Sequence, residues 1–200
     1  MGERTFTVPE ISESLQNKSS DFFEVVEKRR SIRKYKDIEI PDEDITRMIE
    51  AAQLAPSTNN TQPWQFLVIK EPETIKLLSE VAGRQRFISD AKAVIMALAN
   101  RGASCCPGNA SMWYVQDTMI AAEHVVLAAT ALGYGSCWVA MLDSRHKESI
   151  LDVKAALRIP DNVDIVALIT LGVADEIPSP RSTKMIQQIA FSEVYGLHWR

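Results

Sequence analysis

Cysteine is scarce in this chain of 200 residues. Its three thiols, Cys105, Cys106 and Cys137, are odd in number and irregular in spacing. That excludes a disulfide framework and leaves reduced thiols in a cytoplasmic setting as the expectation. Histidine is equally sparse. His124, His146 and His198 stand far apart, no Cys-x-x-Cys or His-x-x-x-His occurs, and no metal site is expected. Only eight glycines are present, and they form no Gly-x-Gly-x-x-Gly turn and no phosphate-binding P-loop. A Gly-x-Ser-x-Gly elbow is missing too. The first 25 residues lack an apolar run of the kind a signal peptide needs. The longest apolar stretch, residues 119–132, contains Glu123 and His124, and it reads as a buried helix rather than a membrane span. A net charge of −4 argues against a nucleic-acid coat, so any basic patch has to be local. With no visible nucleophile, metal cluster or acid–base pair, a bound cofactor is the expected carrier of any chemistry.

What the chain does have is enough apolar residue, 46% of the total, to bury one sizeable core. Residues 1–20 are polar and mixed and read as an N-terminal arm; residues 21–200 read as a single domain. Asp21 is placed to cap a short helix through Phe22, Phe23, Val25 and Val26. Pro41 and Asp42 open a second helix, with Ile45, Met48, Ile49 and Ala52 on one face. Residues 64–69 read as a strand, 72–81 as a helix, and 93–99 as a strand buried on both faces. Residues 101–111 form a loop of small residues. A long apolar helix covers 113–132 and stops at Gly133. A short strand at 135–141, a helix from Ser144 to Leu157 and a strand at 165–173 follow. A proline-containing tail (177–184) leads to a last short helix or turn at 191–195. The intermixing gives an α+β or α/β layered domain.

One local anomaly stands out. Lys28, Arg29, Arg30, Arg33, Lys34 and Lys36 crowd an acidic chain with positive charge, and Ser31 adds a hydroxyl. Arginine's planar fork suits phosphate oxygens. From composition alone, a solvated helix end is the favoured reading of the segment.

Read together, several motifs resemble the nitroreductase family. They are Arg29-Arg30-Ser31-Ile32-Arg33-Lys34-Tyr35, then Ala55-Pro56-Ser57-Thr58-Asn59-Asn60-Thr61-Gln62-Pro63-Trp64, then Gly133-Tyr134-Gly135-Ser136-Cys137-Trp138. Leu171-Gly172 with Pro178, Pro180 and Arg181 continues the pattern, and Phe191-Ser192-Glu193-Val194-Tyr195 with Trp199 closes it. The resemblance runs from about Phe22 to the end. It implies an α+β, three-layer fold with a mostly antiparallel central sheet between helices, and an obligate homodimer with FMN at the subunit interface. It also implies hydride transfer from NAD(P)H through FMN to a nitroaromatic, quinone or related acceptor in a ping-pong cycle. Carried over by position, Arg29, Arg30, Ser31, Arg33 and Arg181 hold the phosphate, ribityl chain and pyrimidine edge. Pro56, Ser57, Thr58, Asn60 and Gln62 approach the flavin from the partner. Gly135 and Ser136 bring backbone N–H groups to the ring. No catalytic side chain is expected, because FMN carries the chemistry. Dehalogenation, flavin degradation, a protein electron donor, or flavin storage without turnover are the alternatives.

Other features have plainer readings. Trp64, Trp113 and Trp138 suit a core or an interface. Glu123 and His124 suit a buried polar pair at a dimer seam. Cys137 suits a packing role. Residues 101–112, with Arg101, Cys105, Cys106 and Asn109, read as a surface loop with the alternative of a mobile lid.

Overall fold

The computed structural model describes residues 22–83, 85–104, 112–141 and 147–199. Asp21, Ser144, Cys105, Cys106 and Asn109, and with them the arm, both of these expected helix starts and most of the possible lid, lie outside the described residues.

Helices are α1 (Phe22–Lys28), α2 (Asp42–Gln53), α3 (Pro72–Val81), α4 (Trp113–Ala131) and α5 (Lys147–Ala156); strands are β1 (Trp64–Ile69), β2 (Ala93–Asn100), β3 (Gly135–Ala140) and β4 (Val163–Gly172). Every neighbouring pair of strands is antiparallel, and their order across the sheet is β1-β2-β4-β3. β2 and β4 are therefore central, which explains why both read as continuous apolar runs rather than alternating ones. Along β2, Val94, Met96 and Leu98 enter one core with α3 and α5, while Ala93, Ile95 and Ala97 enter another with α2 and α4. The result is three layers: helices, sheet, helices.

A register shift falls between Ala97 and Leu98, where β2 pairs Ala97 with Ala167 and Leu98 with Ile165. Val166 is the extra residue, a bulge that reverses the in–out alternation of β4. Val163 and Ile165 before it and Leu168 after it all face the α3–α5 core.

Local chemistry explains the helices. Asp42, Glu43 and Asp44 occupy the first turn of α2, where the dipole favours negative charge. Its apolar spacing buries Ile45, Met48 and Ala52. Pro72 starts α3, a position where its missing N–H costs nothing. α4 is apolar almost all round and buries Ala121, Ala122, Val125, Val126 and Ala129, yet Met119 and Ile120 stay exposed on its outer face. Gly133, at φ +86°, ends it. The tail has no helix at 191–195. A 3-10 turn forms instead at Ile186–Gln188, and a turn follows, closed by a bridge between Phe191 and His198. Among the described residues no helix is long and apolar enough to cross a membrane.

Candidate active site

The basic segment lies in extended form along the edge strand β3. Ser31 forms a parallel bridge with Ser136, and the Ile32 N–H donates to the Ser136 carbonyl at 2.8 Å. The tail then closes over it. The Arg30 guanidinium donates to the Ser179 carbonyl, Arg181 donates to the Arg29 carbonyl, and the Arg33 N–H donates to Glu176. Further along, Lys36 N–H reaches Val173 O at 2.8 Å and Asp175 N–H reaches Lys34 O at 2.9 Å. Arg29, Arg30, Ser31, Ser136 and Arg181 are thus brought together, as the sequence suggested. The Arg33 guanidinium sits 5.6 Å above the centre of the Phe87 ring, a cation–π contact.

Two glycines permit this close lay-down. A Cβ on Gly135 would meet Ile32 at 2.9 Å, and one on Gly172 would meet the Tyr35 ring at 2.6 Å. Gly135 and Gly172 are themselves paired across β3 and β4. Tyr35 then locks the segment: its hydroxyl donates to Ile32 O at 2.6 Å and lies 2.7 Å from Thr170 Oγ1. Burial above all raises the Tyr35 pKa, so this hydroxyl stays protonated.

Ser136 has a different status. Its Oγ is buried and has no hydrogen-bond partner among the described residues. A buried hydroxyl left unpaired costs on the order of 1–3 kcal/mol. Its place beside the arginine segment makes it fit a polar ligand group. Arg29, Arg30 and Arg181 supply the donors that a phosphate requires.

The second motif sits elsewhere. Residues 57–62 precede β1, at the opposite edge of the sheet from β3. Through the strand registers, Trp64 lies level with Asp164, whereas Ser136 lies level with Leu171. The two groups are therefore about 20 Å apart along the strands and about 14 Å apart across them. One chain does not bring Pro56, Ser57, Thr58, Asn60 and Gln62 to the arginine segment.

That loop is unusual in its own right. Asn59, Asn60 and Gln62 have φ of 52°, 55° and 47°. Left-handed conformations at such residues cost on the order of 1 kcal/mol each and need support from the surroundings. The support is visible. Asp117 accepts the Thr58 N–H at 3.0 Å and the Thr58 hydroxyl at 3.2 Å; Ser57 Oγ accepts the Gln62 N–H at 3.0 Å. Gln62 Nε2 donates to Asn60 O and Oδ1.

The family assignment rests on comparison. The chain matches the model of the Nitroreductase family over residues 26–100 and 77–173. The chain belongs to the nitroreductase family. A protein of Archaeoglobus fulgidus, named as a candidate NADH dehydrogenase/NAD(P)H nitroreductase, is 39% identical over 144 residues, covering 72% of this chain and 80% of its own. The NADH dehydrogenase of Thermus thermophilus is 28% identical over 81% of this chain and 91% of its own. The solved structure of an FMN-dependent nitroreductase from Clostridium difficile superposes with a TM-score of 0.74 at 28% identity, covering 86% of this chain and 98% of that one. The α+β nitroreductase fold and an NAD(P)H-linked oxidoreductase class follow.

Within this member of the family, several residues fall outside the motifs. Asp117 is buried in an apolar helix, and only its interruption of that helix by a charge could have marked it. Asp164 interrupts β4 and receives Arg101 through two guanidinium nitrogens, Nε at 2.8 Å, and the Tyr114 hydroxyl at 2.9 Å. Burial alone would raise its pKa, but the hydrogen bonds from Arg101 and Tyr114 outweigh it and hold the carboxyl below its usual range. Cys137 is buried as expected of a packing residue. Arg33 and Arg29 come near it in space, though not in sequence, yet burial dominates and raises its thiol pKa. Within one chain Glu123 is exposed, and His124 Nδ1 lies 2.9 Å from Ala51 O. Trp64 and Trp138 pack on the α2–α4 core, while Trp113 is exposed. Among the described residues no group of His, Cys, Asp and Glu could hold a metal ion.

Proposed function

We propose that this chain is an FMN-dependent oxidoreductase working as a homodimer. NAD(P)H is the donor, a small oxidised acceptor such as a quinone or nitroaromatic leaves reduced, and the two share one site in a ping-pong cycle. Each site combines Arg29, Arg30, Ser31, Arg33, Gly135, Ser136 and Arg181 of one copy with Pro56, Ser57, Thr58, Asn60 and Gln62 of the other. The cytoplasmic setting expected from the thiols accompanies this reading.

The observation that carries it is the arginine segment itself. It is fixed to β3 beside a buried, unpaired Ser136 hydroxyl and tied down by Arg30 and Arg181. The site's residues then have separable tasks. Arg29, Arg30 and Arg181 would neutralise the phosphate. Ser31 and Ser136 would satisfy polar atoms that burial strips of water. The Asn60 and Gln62 amides would approach the ring and acceptor from the second copy. When bound, FMN would supply two-electron hydride chemistry, which spares the protein an acid or nucleophile of its own.

The separation of the two motifs on one chain supports the paired arrangement. So does exposed apolar surface: Leu54, directly before the 55–64 motif, is 82% exposed, and Tyr195 in the tail is 92% exposed.

The test is spectroscopic. Purified protein should carry or take up FMN and show a flavin absorbance spectrum. Stopped-flow mixing with NADH or NADPH should bleach it, and an added quinone should restore it. Flavin that neither nicotinamide bleaches would remove the donor. Intact flavin without steady-state NAD(P)H oxidation would leave a storage protein.

A further inference from the structure

Asp117 projects from the inner face of α4 and is 6% exposed. Its helix neighbours Val115, Ala121 and Ala122 are buried and apolar. A carboxyl group in such a place needs hydrogen-bond partners. Both oxygens are used on one residue: Oδ2 takes the Thr58 N–H and Oδ1 the Thr58 hydroxyl. Thr58 begins the turn that continues through left-handed Asn59, Asn60 and Gln62.

The loop therefore has a fixed origin on a rigid helix. Its far end is tied back by Ser57 to the Gln62 N–H. Between these points Gln62 Nε2 occupies the Asn60 amide oxygen, which leaves the Asn60 NH2 group as the free donor of that side chain. A free amide donor suits a ring carbonyl oxygen. Nothing else in the loop reaches a helix by a charge-assisted bond among the described residues.

We infer that Asp117 is a positioning residue of the flavin site. Through Thr58 it holds the 57–62 loop in its left-handed shape and aims the Asn60 amide donor, braced by Gln62, at the carbonyl-bearing ring bound by the partner copy. It touches neither cofactor nor acceptor. The inference rests on the flavin reading above for the target of that amide, but the clamp itself concerns this chain alone.

Asp117→Asn tests it in the full-length protein. Asparagine keeps the shape and can still pair with Thr58, its oxygen taking the N–H and its NH2 facing the hydroxyl, so what it removes is the carboxylate that strengthens both bonds. Three quantities are read: amide hydrogen exchange at Thr58 and Gln62 without flavin, the FMN release rate, and KM against kcat for a quinone acceptor. Weakening both bonds from charge-assisted to neutral should speed Thr58 exchange and FMN release roughly tenfold. Acceptor KM should rise more than kcat falls. Thr58→Val, which removes only the hydroxyl half, should move all three in the same direction by less, and it keeps the question open to measurement if Asp117→Asn folds poorly. Unchanged Thr58 exchange overturns the inference. So does a lower melting temperature with FMN release and acceptor KM at wild-type values, the signature of a merely structural carboxylate. Wild-type protein that takes up no FMN would instead bring down the flavin reading, and the exchange data would still decide whether Asp117 clamps the loop.

Discussion

Ile32 fills the space that a side chain on Gly135 would need: a Cβ there would lie 2.9 Å from both its Cβ and its Cγ2. Gly135→Ala should push the arginine segment off β3. Overpacking of this kind costs about 1–3 kcal/mol. We expect a lower melting temperature together with weaker FMN binding, and partial recovery of both when Ile32→Ala is added. Recovery of neither would mean that the glycine serves something other than this contact.

Gly172→Ala should be harsher. The nearest atoms belong to the Tyr35 ring, which is held at its hydroxyl by Ile32 and Thr170. A ring fixed at its far end has little room to turn. The backbone at Gly172 needs no positive φ, so the penalty is steric alone. A Tyr35→Phe change should free the ring and soften the effect, which a denaturation series on the double variant would read.

Arg33→Glu should lower FMN retention by roughly tenfold or more, since it replaces a charge-assisted donor with a repelling carboxylate. The cation–π contact with Phe87 would go as well. Equilibrium dialysis of flavin against the variant measures this. Wild-type affinity would remove Arg33 from the site and leave it as a structural contact for Phe87.

Acid should weaken the far end of the sheet through Asp164. Its folded-state pKa is lowered, so its stabilising contribution is complete above the unfolded value of about 4. The unfolded chain binds the proton first, and stability falls as pH drops from there through the folded pKa. Denaturant unfolding at a series of pH values should show a smaller acid slope for Asp164→Asn than for the wild type. Equal slopes would mean that other carboxylates govern acid unfolding.

Leu54→Glu should split the proposed pair. A charge forced into an apolar interface has no compensating partner. Sedimentation should show monomer, and flavin content should fall with it, since half of each site would depart. A dimer with full flavin would place the interface elsewhere.

Much of this architecture was legible in the residues. The four strands and the helices follow from apolar period and length, and the central place of β2 and β4 from their unbroken apolar runs. β4 begins earlier than its apolar run suggests, because Asp164 hides the start and only Arg101 and Tyr114, distant in sequence, make it tolerable there. The arginine segment was visible as charge, but the reason it lies flat was not, since that depends on Ile32 and Tyr35 meeting two glycines more than a hundred residues away. Asp117 carries no such mark for the same reason: its partner Thr58 is remote, and an acid in an apolar helix has no periodic signal.

The distance between the Arg30 corner and the Asn60 corner of the sheet has a genetic consequence. In the proposed pair, a copy defective at Arg30 joined to a copy defective at Asn60 would collect both faults in one site. The other site would be built wholly from sound halves. Two inactive proteins, mixed and allowed to exchange partners, would then regain activity, up to one working centre per mixed pair. Two copies sharing the same defect never would.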